Sequence, residues 1–164
     1  MGMTDSQRLR ACDAADPYDA PAIDTSELTG SATDHTVWSC IGNLTAVRSI
    51  RARVREFLER ANYPEAILDD AELAVSELAT NALLHSRSGQ IGGVMTLFIR
   101  VSPGCVRIAV ADQGDKDPDE VAVVTREDEG EHGRGKLIIE DCTSRNGEYR
   151  TEATHVSWFE IDLV

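Results

Sequence analysis

Lysine is almost missing from this chain: of its 16 basic residues only Lys116 and Lys136 are lysines, set against 29 acidic ones. The formal net charge is −13. That sign excludes direct binding to duplex nucleic acid, which rests on Lys and Arg displacing counterions from phosphates. It argues against adhesion to anionic membranes for the same reason. No apolar run approaches the roughly 20 residues of a membrane-spanning helix. No basic stretch leading into an apolar segment marks a secretory signal, so a cytoplasmic protein is expected. Cys12, Cys40, Cys105 and Cys142 are widely spaced and form no C-x-x-C pair, which predicts four reduced thiols. The histidines show no zinc-ligand spacing, which removes metal hydrolases. A full G-x-x-x-x-G-K-[ST] loop is absent, and so is any internal repeat.

What is present suits one domain with a short tail, within 164 residues. Residues 1–32 are rich in Ala, Asp, Pro, Ser and Thr and predict a largely disordered tail, leaving 33–164 as the folded domain. Residues 36–41 alternate weakly and predict an edge strand. Asn43 reads as a helix N-cap. Leu44, Val47, Ile50, Val54, Phe57 and Ala61 then recur at helical spacing over about 18 residues. Pro64 opens a second helix reaching His85. Residues 92–101 and 105–111 are rich in Val, Ile, Leu and Phe, joined by the hairpin signal Ser102-Pro103-Gly104. From 112 to 131 periodicity vanishes and acidic residues crowd together; a loop of that length in a compact domain marks a functional lid. Residues 135–142 predict a short helix, and 144–150 with 154–163 a closing pair of strands. The order predicts a two-layer α/β (α+β) sandwich, with a mixed or antiparallel sheet and helices on one face. It lacks the regular alternation of a doubly wound parallel sheet.

In the second helix Glu77, Asn81 and His85 stand at i, i+4 and i+8, which makes one slowly drifting polar stripe. Ala71, Val75, Leu78 and Ala82 form the expected core face on one side. Leu73 and Leu84 lie on the other side, and Ala74 leaves room within the stripe itself. Such a stripe is either the boundary between core and solvent or the wall of a site. As a wall it has useful chemistry. A carboxylate can take a proton from a hydroxyl or a water, and an amide carbonyl is a hard oxygen ligand that suits Mg²⁺.

Two glycine motifs follow. Asp112-x-Gly114 ends a strand pattern. It is either an ordinary turn or a base site, where the aspartate accepts from an adenine amino group and the glycine allows close approach. Gly133-Arg134-Gly135-Lys136 precedes a short apolar helix whose first backbone N–H groups can cradle phosphate. Arg134 and Lys136 either add charge there or face solvent.

Taken in order, Glu77-x-x-x-Asn81-Ala82, Asp112-x-Gly114 and Gly133-x-Gly135 resemble the N, G1 and G2 boxes of the GHKL ATPase superfamily. The run Ser76-Glu77-Leu78-Ala79-Thr80-Asn81-Ala82 with His85, the run Glu131-His132-Gly133-Arg134-Gly135, and Trp158-Phe159-Glu160 are most similar to bacterial anti-sigma-factor serine/threonine kinases and small actinobacterial ATP-binding regulators. The resemblance spans residues 36–163 and implies a Bergerat-type sandwich binding ATP and Mg²⁺. It implies Asn81 on the metal, Glu77 as catalytic base, and Asp112 and Gly114 at adenine. It puts Gly133, Arg134 and Gly135 around the phosphates and Thr154 near adenine. Arg48 lies where relatives meet protein partners, and Arg51 and Arg55 extend a basic strip along the same helix. The chain departs from the pattern at Lys136, where an apolar residue is usual, at Asn146, where tryptophan is frequent, and at Ala153, where a glycine precedes the threonine.

The resemblance implies an ATP–Mg²⁺-binding regulatory protein. It would bind a sigma factor and phosphorylate a serine of an antagonist protein, in a family where homodimers are common. The alternative is a nucleotide-gated protein-binding module without phosphotransfer, in which nucleotide orders the lid and shifts a partner surface.

Overall fold

The structure, a computed structural model, describes residues 34–116 and 134–163. The expected tail over 1–32, and the expected lid from residue 117 on, lie outside the described residues. The elements run β1 (Asp34–Ile41), α1 (Ala46–Arg60), α2 (Glu65–His85), β2 (Val94–Ser102), β3 (Cys105–Asp112), α3 (Gly135–Cys142), β4 (Arg145–Arg150) and β5 (His155–Asp162). The strands form one sheet in the order β1-β2-β3-β5-β4. Every neighbouring pair is antiparallel. The sheet is therefore wholly antiparallel, with β1 at one edge. The β2–β3 hairpin closes on Pro103 and Gly104, with Ser102 paired to Cys105 and Gly104 at φ +89°.

Alternation along the strands decides which face meets the helices. Met95, Leu97 and Ile99 of β2, Val106, Ile108 and Val110 of β3, and Phe159 and Ile161 of β5 join the main core with the helices. Each such side chain stabilises the fold by roughly 1.5–3 kcal/mol relative to exposure. The other face carries a smaller cluster of Ala109, Ala111 and Val156 with Phe98, Tyr149 and Trp158.

α1 buries Ala46, Ile50, Val54 and Leu58, a straight i+4 ridge. The sequence pattern included Ile50 and Val54 of this ridge but filled out the face with Val47 and Phe57, which are half-buried, and with Leu44 and Ala61, which are exposed. The ridge seats against α2 and so sets the helix's rotation. The expected cap at Asn43 is displaced: the N-cap is Thr45, two residues on, and Asn43 braces it from outside the helix, its Oδ1 accepting from the Thr45 N–H at 3.0 Å and from the Thr45 hydroxyl at 2.7 Å.

α2 is packed against α1, α3 and the sheet. Its nine buried residues, Leu68, Ala71, Ala74, Val75, Leu78, Ala79, Ala82, Leu83 and Leu84, therefore spread over several sides. Ala74 is core rather than spare room in a polar stripe, because a neighbouring element covers it. Leu73 is exposed. The cysteines also differ from expectation. Cys40 and Cys142 are free thiols, but Cys105 is disulfide-bonded. Separation along the chain says nothing about separation in space, which decides whether two sulfurs meet.

Candidate functional site

The C-terminal half of α2, the end of β3 and the facing parts of β4 and β5 surround a cavity of about 330 Å³. That lies within the range of small-ligand pockets. Asn81 and His85 reach it from α2, Asp112 and Gly114 from β3 and its following loop, and Glu148, Arg150, His155 and Ser157 from β4 and β5.

Asp112 is buried at the end of β3. Its Oδ1 accepts from the Gly114 N–H at 2.8 Å. Gly114 turns the chain at φ +80°, a region that glycine reaches without a Cβ penalty. The Gly114 carbonyl then accepts from the Arg87 N–H at 2.9 Å, and Ser86 bridges to Asp115. The loop is thus fastened to the end of α2. Asp112 Oδ2 lies 3.1 Å from His155 Nδ1, and His155 Nε2 lies 3.0 Å from Glu148 Oε2. Burial pushes the Asp112 carboxyl above its usual range, opposed by the Gly114 N–H, His155 and Arg150. A carboxylate has about four acceptor positions, so Asp112 retains capacity for a ligand's donor.

Glu77 stands one turn before Asn81 and is half-buried, which raises its carboxyl pKa. It faces the start of α3: a Cβ on Gly135 would lie 2.5 Å from Glu77 Oε2. Only glycine lets the first turn of α3 approach that carboxylate so closely. The polar stripe of α2 and the second glycine motif therefore meet in space. Glu77 itself is not on the wall of the cavity.

Asn81 is exposed and offers one amide oxygen. Among the described residues no group of three or more His, Cys, Asp or Glu could hold a metal ion. The donor set still fits Mg²⁺, which usually keeps several waters and takes one or two protein ligands plus substrate phosphates. Arg134 and Lys136 are exposed on either side of Gly135, at a helix start whose first N–H groups have no partner within the helix. Gly133 lies outside the described residues.

Thr154 is not on the cavity wall; its carbonyl accepts from the Thr151 N–H at 2.8 Å in the β4–β5 turn. His155, the next residue, occupies the place beside Asp112. Sequence reasoning missed His155, Glu148 and Arg150. Their common signal is the pairing of Asp112 with His155 and of Arg150 with His155 across the sheet, which linear order does not carry.

The basic strip on α1 is largely neutralised. Arg55 pairs with Glu65, with Glu59 at 2.9 Å, with Glu72 at 3.0 Å and with Asp69 at 3.3 Å. Hydrogen bonds to Glu65, Glu72 and Asp69 hold its pKa above the ordinary value. Arg51 pairs with Glu72 at 3.1 Å. Arg51 and Arg55 thus fasten α1 to α2, whereas Arg48 is exposed and has no ion pair among the described residues.

A family model for the histidine kinase-like ATPase domain matches residues 42–158. Among solved structures, the RsbU and RsbW domains of Rv1364c from Mycobacterium tuberculosis match with a TM-score of 0.58 at 17% identity, over 78% of this chain and 31% of that one. This chain spans under a third of that neighbour's length, and the likeness is one of fold. No curated protein matches the chain.

Proposed function

We propose, from the premise that the chain belongs to the histidine kinase-like ATPase domain family, that it is an ATP-binding regulatory protein whose cavity takes the adenine base against Asp112. The observation that carries this reading is a buried carboxylate beside Gly114 at φ +80°, facing a cavity of about 330 Å³ next to Asn81. Adenine presents an exocyclic amino group to such an acceptor, whereas guanine presents a carbonyl and is disfavoured.

In this reading Asn81 supplies an oxygen to Mg²⁺. Gly133, Arg134, Gly135 and Lys136 hold the phosphates through backbone N–H groups and charge. Bound Mg²⁺ supplies neutralisation of charge on the phosphates. Glu77, with its proton affinity raised by burial, takes the proton of an attacking hydroxyl. The finer function is that of an anti-sigma-factor-like serine kinase. It binds a sigma factor, transfers phosphate to a serine of an antagonist protein, presents Arg48 to a partner and pairs with a second copy. The Ser76–Ala82 run and the fold likeness support it.

The second reading, a nucleotide-gated binding module, is favoured by one feature: Glu77 lies under the start of α3 and off the cavity wall. Calorimetry with ATP–Mg²⁺ and GTP–Mg²⁺, followed by transfer assays on captured partners, separates the readings. Asn81→Ala weakens Mg²⁺-dependent ATP binding. Glu77→Ala keeps ATP bound and lowers transfer by about 10²–10⁴. A wild type that ignores ATP refutes the function; one that binds ATP without transferring phosphate is the gated module.

A further inference from the structure

We propose that His155 is a positioning residue of the base site, acting through Asp112, and that the proton on its imidazole keeps Asp112 ready to accept a base amino group as the pH falls. The proposal rests on the nucleotide reading above.

His155 of β5 and Asp112 of β3 are paired residues, and the imidazole stands between two carboxylates. Nδ1 is 3.1 Å from Asp112 Oδ2, and Nε2 is 3.0 Å from Glu148 Oε2. An ionised carboxylate only accepts, so both contacts are hydrogen bonds only when both ring nitrogens carry protons. A neutral ring has one N–H and must choose between the two partners. Side-chain exposure decides the choice: Asp112 is 6% exposed and Glu148 67%. Buried Asp112 keeps the N–H, and Glu148 turns to water.

Nδ1–H therefore donates to Asp112 in either state, and protonation adds a full positive charge beside it. Among the described residues, three other titratable groups line this cavity, His85, Asp115 and Arg150. Arg150 of β4 is paired with Asp115 at 2.9 Å, and His85 lies across the cavity at the end of α2. A proton on the imidazole shares its charge between two carboxylates, Asp112 at 3.1 Å and Glu148 at 3.0 Å. Burial alone favours protonated Asp112; the ring opposes it. An ionised acceptor bonds an amino group roughly twice as strongly as a neutral one. His155 thus widens the pH range over which the base is held.

The test is ADP–Mg²⁺ affinity of wild type, His155→Gln and Glu148→Gln from about pH 8 to about pH 5.5. Each variant is expressed as a ratio to wild type at the same pH, which cancels the ligand's own titration. Glutamine still offers Asp112 a donor but cannot carry the charge. The ratio of His155→Gln to wild-type affinity falls by roughly tenfold from the upper end of the pH range to the lower, the difference between a charge-assisted and a neutral bond. Glu148→Gln moves the same way by less. A ratio that is flat with pH overturns the proposal alone. A wild type that binds no ADP at any pH overturns the nucleotide reading and this proposal with it. Nitrogen-15 spectra of the wild-type ring decide independently of whether the variants fold. Two protonated nitrogens at the lower pH support the imidazolium; one overturns it.

Discussion

Replacing Gly135 with alanine puts a methyl carbon 2.5 Å from Glu77 Oε2. An ordinary carbon–oxygen contact is about 3.4 Å, so the oxygen must retreat by about 0.9 Å. The obstacle is the far end of a flexible side chain, so the carboxylate yields and the backbone stays. Holding Glu77 off its preferred rotamer costs about 0.5–1.5 kcal/mol. Alanine in place of glycine in a helix contributes roughly 0.5–1 kcal/mol in the opposite direction. The two effects nearly cancel, and net stability moves by less than about 1 kcal/mol. The chemistry does not cancel, because a general base displaced by about 1 Å loses on the order of 10² in rate. Urea melts, ATP calorimetry and transfer rates on the same preparation read the three quantities. The expected result is an unshifted midpoint, retained ATP and transfer reduced about a hundredfold. In a Glu77→Ala background the methyl meets no carboxylate, so Gly135→Ala there stabilises the fold without further loss of transfer, a double-mutant cycle on one contact. Full transfer by Gly135→Ala refutes the placement of Glu77 as the base. A loss above about 3 kcal/mol shows that the backbone gives way instead.

Asp112→Asn weakens ATP by roughly 10- to 150-fold, the worth of one charge-assisted bond, and leaves the weak GTP binding unchanged; equal losses for both nucleotides in calorimetry remove Asp112 from base recognition. Glu77 is raised by burial, so the folded chain holds its proton to higher pH than the unfolded chain, and stability from this group is full below the unfolded carboxyl range and falls as pH rises through the folded value. Glu77→Gln therefore stabilises the protein at neutral pH and flattens its stability–pH curve; urea midpoints displaced equally at acid and neutral pH contradict this. Arg55→Ala lowers the melting temperature by releasing α1 from α2, and high salt narrows the gap by screening the ion pairs it loses; an unchanged melt shows those pairs to be idle. Arg48→Glu leaves the melt and ATP affinity intact and abolishes partner capture, and undiminished capture moves the interface to another face.

Much of the fold was legible because its signals act over a few residues. Pro64 lacks an N–H and sets a fixed φ, so it marks the start of a helix, and α2 begins at Glu65. The Pro103-Gly104 turn and the Gly135–Cys142 helix were likewise readable from turn chemistry and short-range periodicity. The polar spacing of Glu77 and Asn81, and the glycines at 114 and 135, pointed to a candidate site, of which Asn81 and Gly114 line the cavity. Packing decided the rest. The seat of α1 on α2 turned its buried face to Ala46, Ile50, Val54 and Leu58 and drew Arg55 into a cluster with Glu59, Glu65, Asp69 and Glu72. The β3–β5 and β4–β5 registers placed His155, rather than Thr154, against Asp112 and under Glu148. Strand register is a long-range choice made by how whole faces bury, and no stretch of a few residues contains it.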